Sequence, residues 1–203
     1  MTDTPGLRQR QREQTWRDLH EAAVDLARTG GLEGATIDAI AKRAGVSRRT
    51  FFNYYPSKED AMLGLNAPVV SDVVLDRFRE QAATNVFEAV IDLISVVWRA
   101  GIVVDIGRPA RRALVTEFPG LRVRVAEHTA IVEELIAPLI AGADEPWAVE
   151  ISRDPRILRS LVLLASAALK VTDGPIGTGA SARPEDDMKE TIALFQRILA
   201  NDL

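Results

Sequence analysis

The 203-residue chain contains no cysteine, which excludes disulfides and thiolate metal sites and is compatible with a reducing compartment. Its two histidines, His20 and His128, give little basis for a metal site built on imidazole. The opening MTDTPGLRQRQREQ has no apolar core and does not read as a secretory signal. Charge interrupts the apolar runs: Asp92 and Arg99 break 86–106, and Arg159 and Lys170 bracket 160–169. None offers the roughly 20 clean residues that a membrane-spanning helix needs. These absences lead to the expectation of a soluble, cytoplasmic protein with no metal, no cofactor and no membrane partner. Aromatics are also scarce, eleven in all, yet four of them lie between Ser47 and Lys58 beside two adjacent arginines.

The remaining composition is that of an ordinary globular protein, 47% hydrophobic and 27% charged, and long enough to bury a real core. Charge is distributed unevenly. Residues 1–58 carry a net +3 and the remainder a net −7. A basic N-terminal third on an acidic body suits a module that meets a polyanion.

Alternating β-branched segments are nearly absent, whereas three-four spacing recurs, so the fold class is all-α. Trp16, Leu19, Ala23 and Leu26 mark one face of a helix at about 9–28, which Thr29-Gly30-Gly31 ends. Residues 1–12 are expected to form mostly a flexible tail, whose Arg8, Arg10 and Arg12 either stay solvated or enter a minor groove. Thr36 caps a short helix at 37–43, Gly45 permits a turn, and Ser47 caps a second short helix at 48–54. Pro56 ends that helix, and Ser57-Lys58-Glu59-Asp60 has capping-box spacing for another. Further helices are expected at about 58–65, 69–82, 86–100, 108–117, 120–141, 155–172 and 186–200. Pro138 should kink or stop its helix. Residues 173–185 read as a loop, and their glycines lack the lysine and the preceding strand of a phosphate loop.

The two short helices around Gly45 have the outline of a helix-turn-helix, which a plain αα-hairpin shares. The outward side of the second helix separates the two. Arg48, Arg49, Thr50 and Asn53 can hydrogen-bond base edges or phosphates, and arginine suits the paired acceptors of guanine. Tyr54 and Lys58 are placed to clasp phosphates, and Ser57-Lys58 opens a helix whose N-terminal amides attract them. Residues 1–60 are therefore expected to form a DNA-binding domain, and 61–203 a helical regulatory and dimerisation domain.

GATIDAIAKRAGVSRRTFFNYYPSKEDAM, residues 34–62, resembles the signature of the TetR family of bacterial transcriptional repressors. The matching pieces are Thr36, Ala41, Gly45-Val46-Ser47, Thr50-Phe51-Phe52, Tyr54-Tyr55 and Lys58-Glu59. The resemblance covers about residues 12–65. It implies a homodimer that binds palindromic operator DNA through two N-terminal heads, with a helical C-terminal domain that takes a small effector. It assigns Thr36, Tyr54 and Lys58 to phosphates and Phe52 to a thymine methyl, adds Ser47 to the DNA-facing set, and places Phe51 and Tyr55 in the head's core.

Residues 157–171, ILRSLVLLASAALKV, are apolar on nearly every side and must be covered all round. The resemblance implies that this helix and the next meet a second subunit, with Leu161, Leu164, Ala165, Ala168, Ile192 and Phe195 at the interface. Phe87, Trp98, Arg111, Phe118, His128 and Glu134 are the candidates for lining an effector pocket, mainly apolar with a few polar groups. No nucleophile, base and orienting residue can be assembled, so the chain reads as a non-enzyme. The rival reading is a helical small-molecule-binding protein or enzyme whose N-terminal hairpin is only scaffold.

Overall fold

Capping side chains and left-handed glycines divide the N-terminal region into short helices in the computed structural model, which describes residues 6–171, 190–195 and 197. The first helix, α1 (Leu7–Gly34), begins two residues earlier than its apolar face suggests. Gln9 bonds Glu13 at 3.2 Å, and the Arg12 guanidinium lies 4.6 Å over the Trp16 ring, so four-residue spacing carries helix into the expected tail. At its other end the glycine stop acts at Gly31, whose φ of 72° breaks α1 before one more helical turn to Gly34.

Thr36 and Ser47 cap α2 (Ile37–Arg43) and α3 (Arg48–Tyr54). Ser57 caps α4 (Lys58–Leu63), which ends two residues before the expected 65 because Gly64 turns left-handed at φ 68°. A Cβ at Gly64 would stand 2.5 Å from the Val104 carbonyl oxygen, so only glycine fits there. That close approach lets the Gly64 carbonyl accept from the Val103 and Val104 amides at 2.9 and 3.2 Å, next to a single antiparallel bridge between Leu65 and Ile102.

The helices α5 (Asp72–Ala82), α6 (Val86–Ala100), α7 (Gly107–Glu117) and α8 (Leu121–Ala141) follow. Pro138 does not stop α8, which continues to Ala141. Both Pro138 and Glu134 are exposed, so the carbonyl that proline leaves without a helical partner is on the solvent side. A short helix absent from the sequence-based expectation, α9 (Pro146–Ser152), precedes α10 (Pro155–Val171). Its signal was Pro146 at the first helical position. Residues 190–195 and 197 are also helical, and the expected loop at 173–185 lies outside the described residues.

The chain divides into two units. The first contains residues 1–67 and 101–127, and its core is built on Leu19, Ile40, Phe51, Tyr55, Met62, Leu63, Leu65 and Leu121, all fully buried. The second contains 68–100 and 128–203. There α6 packs between α5 and α10, burying Val90, Ile94, Val97 and Trp98, and Phe78 meets Trp147 edge-on at 5.4 Å. The division places α7 and the first turns of α8 with the N-terminal helices.

Candidate nucleic-acid interface

The first unit presents α3 on a rigid seat. Ala39 donates to Thr36 Oγ1 at 3.3 Å, satisfying an amide at the start of α2. Ala41 is buried to 2% exposure, which allows α3 to approach, and its carbonyl accepts from the Val46 amide at 2.9 Å. Between them Gly45 sits at φ 70°. Ser47 Oγ then accepts from the Thr50 amide at 3.0 Å and bonds the Thr50 hydroxyl at 2.7 Å.

Phe51 and Tyr55, one turn apart, anchor the inner side of α3 with no exposure. Tyr55 donates to the Trp16 carbonyl at 3.1 Å, and Trp16 Nε1 donates back to the Tyr54 carbonyl at 3.3 Å. Asn66 Nδ2 donates to that same Tyr54 carbonyl at 2.9 Å. Burial, with the nearby Asp60 charge, pushes the Tyr55 phenol well above its ordinary pKa, so it remains a donor.

With those two rings inside, Arg48, Arg49, Phe52 and Asn53 are exposed on the opposite side of α3. Their i, i+1, i+4, i+5 spacing makes one continuous outward face. Phe52 is 48% exposed, an unusual position for a phenylalanine on a small head. Its edge meets Phe51 at 5.6 Å, and Arg48 lies 5.6 Å over its ring. Arg48 also pairs with Asp38 of α2 at 2.8 Å, whereas Arg49 takes part in no ion pair among the described residues. Thr50 and Tyr54 are half-buried at the margins, Tyr54 edge-on to Trp16 at 5.6 Å.

Lys58, at the start of α4, donates to the Leu32 carbonyl at 2.7 Å, which commits one of its three N–H donors and holds its ammonium near the end of α1. The cap of α4 is reinforced from a distance. Asp60 is 1% exposed; it accepts from Ser57 Oγ and from Arg124 Nε, each at 2.6 Å. Arg124 also meets Glu127 at 3.1 Å. Arg124 is a positioning residue that sequence reasoning missed, since sixty-four residues separate it from Asp60 and nothing local marks the pair. His20 supports α4 from the other side: its Nδ1 donates to the Ala61 carbonyl at 2.8 Å, and burial lowers its pKa, which keeps the ring neutral. Arg111 of α7 donates to the Leu63 carbonyl at the C-terminal end of α4.

The six pocket candidates are divided between the two units. Arg111 and Phe118 belong to the first unit, where Arg111 is spent on Leu63. Phe87, Trp98, His128 and Glu134 belong to the second, and the Glu134 side chain is exposed on α8. Trp98 and His128 meet edge-on at 5.0 Å and are fully buried, with Trp98 Nε1 donating to Thr129 Oγ1 at 3.3 Å. A cleft of about 380 Å³ opens in the first unit beside Ser57, Asp60 and Arg124, but it is charged and none of the six candidates lines it.

The interface candidates differ in their exposure. Ala165 and Ala168 are fully buried in the second unit, on the side of α10 that carries Val162 and Leu169. Ile192 is 7% exposed, and Leu161 and Phe195 are half-buried. The apolar residues that α10 does expose are Ile157, Leu163, Leu164 and Val171.

A tight turn between two capped helices, the second with an inner aromatic anchor and an outer cationic and amide face, defines a helix-turn-helix DNA-binding head. Residues 19–63 match the family model described as bacterial regulatory proteins, tetR family. The chain is 41% identical over 59 residues to the HTH-type transcriptional regulator TcmR of Streptomyces glaucescens, covering 29% of this chain and 26% of that protein. It is 37% identical over 82 residues to the HTH-type transcriptional regulator EthR of Mycobacterium tuberculosis (strain ATCC 25618 / H37Rv), covering 39% of this chain and 35% of that one. The aligned part thus spans between a quarter and just over a third of these relatives. The head at residues 19–63 is thus similar to the DNA-binding head of TetR-family transcriptional regulators.

Proposed function

We propose that the protein is a homodimeric transcriptional repressor that inserts α3 of each head into the major groove of an inverted-repeat operator and releases it on binding a small, mainly apolar effector. The observation that carries this reading is the outward face of α3, where Arg48, Arg49, Phe52 and Asn53 stand exposed on a seat fixed by Phe51 and Tyr55. Arg49 offers an uncommitted fork for guanine, Asn53 an amide for adenine, and Phe52 an apolar surface for a thymine methyl. Thr36, Ser47, Thr50, Tyr54 and Lys58 flank that face and supply hydroxyls and an ammonium for phosphates.

Dimerisation is supported by the exposed side of α10. Ile157, Leu164 and Val171 recur every seven residues, the spacing of a helix–helix seam, and Leu163 widens the patch. The effector belongs to the second unit, whose helices are lined with aliphatic and aromatic residues around Trp98 and His128. An effector weakens operator binding only by preferring the head arrangement that DNA does not. Operator DNA must then weaken effector binding by the same factor. The protein is read as cytoplasmic and without catalytic activity of its own.

The test is selection of bound sequences from random duplex DNA by the purified full chain, with its mass measured by sedimentation. Recovery of an inverted repeat by a dimer is the expected result. Recovery of no sequence preference would favour a helical protein whose N-terminal hairpin is only scaffold.

A further inference from the structure

The first turns of α1 carry three arginines that the helix-turn-helix does not use. At 100° per residue, Arg8, Arg12, Trp16 and Leu19 share one side of α1. That side is the inward one: Leu19 is fully buried, and Trp16 meets Tyr54, the last residue of α3, at 5.6 Å. Beyond Trp16 the same side continues as Arg12 and Arg8, both exposed, with Arg12 stacked 4.6 Å over the Trp16 ring. Arg8 lies roughly 12 Å past Trp16 at 1.5 Å per residue. The acidic residue of this segment, Glu13, lies about 100° round the helix from Arg12 and is paired to Arg17 at 3.9 Å, while Arg10 is on the opposite side.

We propose that Arg8 and Arg12 form a second phosphate-binding surface, which meets the DNA backbone beside the C-terminal end of α3. The proposal rests on the reading that α3 enters the major groove. Given that placement, Trp16 and Tyr54 join the overhanging turns of α1 to the recognition helix, so the two arginines approach the strand that borders it. A guanidinium stacked on an indole keeps its N–H edge available for a phosphate oxygen. Minor-groove insertion, the alternative for a basic arm, is excluded for residues 7–12 by size. A helix is about 10–12 Å across and the minor groove about 6 Å wide.

The two readings of these arginines separate in the salt dependence of binding. Each phosphate contact contributes about 0.9 to the slope of log affinity against log salt. A dimer carries two such surfaces, so the double variant removes four contacts, and between 50 and 200 mM salt the wild type should lose about 150-fold more affinity than Arg8→Ala/Arg12→Ala. That difference should appear equally on the selected operator and on random duplex, leaving their ratio within about twofold. Arg10→Ala, on the opposite side of α1, serves as the control and should keep the wild-type slope. A double variant with the wild-type slope overturns the proposal, as does an Arg10→Ala slope that falls by as much per charge removed. Arg49→Ala, measured alongside, distinguishes the two failures. If it loses operator preference while the double variant is silent, only the α1 surface is wrong; if it too is silent, the groove placement has failed.

Discussion

The Asp38 carboxylate accepts from Arg48 at 2.8 Å while the same guanidinium lies over the Phe52 ring, so one arginine of the outward face is held in place and its neighbour Arg49 is not. The contact uses a single terminal nitrogen and leaves Nε and the other terminal nitrogen for a base. Both partners are more than half exposed, and such a pair contributes only about 0.2–1 kcal/mol to stability. Asp38→Ala should leave the melting temperature nearly unchanged, raise affinity for random DNA through the lost negative charge, and lower the operator-to-random ratio severalfold. A ratio equal to wild type in equilibrium titrations would mean that Asp38 does not orient Arg48.

Removing Arg124 should be costly although it lies far from α3 in sequence. Asp60 would remain buried with Ser57 as its only side-chain hydrogen-bond partner among the described residues. Breaking a largely buried pair from one side costs about 2–4 kcal/mol, below the upper end for full burial because Arg124 retains 17% exposure. Urea denaturation of Arg124→Ala should show that loss, and Asp60→Asn, which keeps an acceptor for Ser57, should lose less. Equal stability of Arg124→Ala and wild type contradicts the placement of this pair.

The buried His20 makes the head sensitive to mild acid. Its folded pKa is below the unfolded value of 6.5, because burial disfavours the cation. Below pH 6.5 the unfolded chain therefore takes up a proton that the folded head does not. Stability is fully present above that pH and declines beneath it by at most about 1.4 kcal/mol per unit. Denaturation at pH 7.5, 6.5 and 5.5 should show the decline in wild type and a smaller one in His20→Asn. A steeper decline in the variant would reverse the sign of this account.

The seam on α10 makes a separate prediction about assembly. Leu164 is 40% exposed and points away from the buried side of its helix. Leu164→Glu should give folded monomers by sedimentation, whereas wild type at micromolar concentration should be a dimer. A wild-type monomer under those conditions removes the basis for the dimer.

The α2 and α3 boundaries were legible residue for residue because Thr36, Gly45, Ser47 and the pre-proline Tyr55 act within one turn of themselves. The same local logic reached α4 but overran it by two residues: Gly64 was in plain view, yet the need for it arises from Val104, forty residues away. Long-range partners were illegible for a related reason. Neither the Asp60–Arg124 pair nor the bond from Lys58 to Leu32 leaves a mark in any local window. For α10 the sequence showed apolar residues on all sides, and only packing against α6 decided that Ala165 and Ala168 turn inward while Leu164 does not. From Leu7 onward helix runs into the expected tail, where Arg12 stacks on Trp16 and Gln9 bonds Glu13, contacts that a count of charges does not register.

The central claim is that α3 reads base edges, and Arg49→Ala on the selected operator and on random duplex, at one fixed salt concentration, tests it most directly. Arg49 is exposed and makes no ion pair among the described residues, so its loss should leave the fold intact. The account predicts a loss of about 1–3 kcal/mol for each half-site of the operator, roughly 5- to 150-fold apiece, with little change on random DNA. Operator affinity equal to wild type would contradict it.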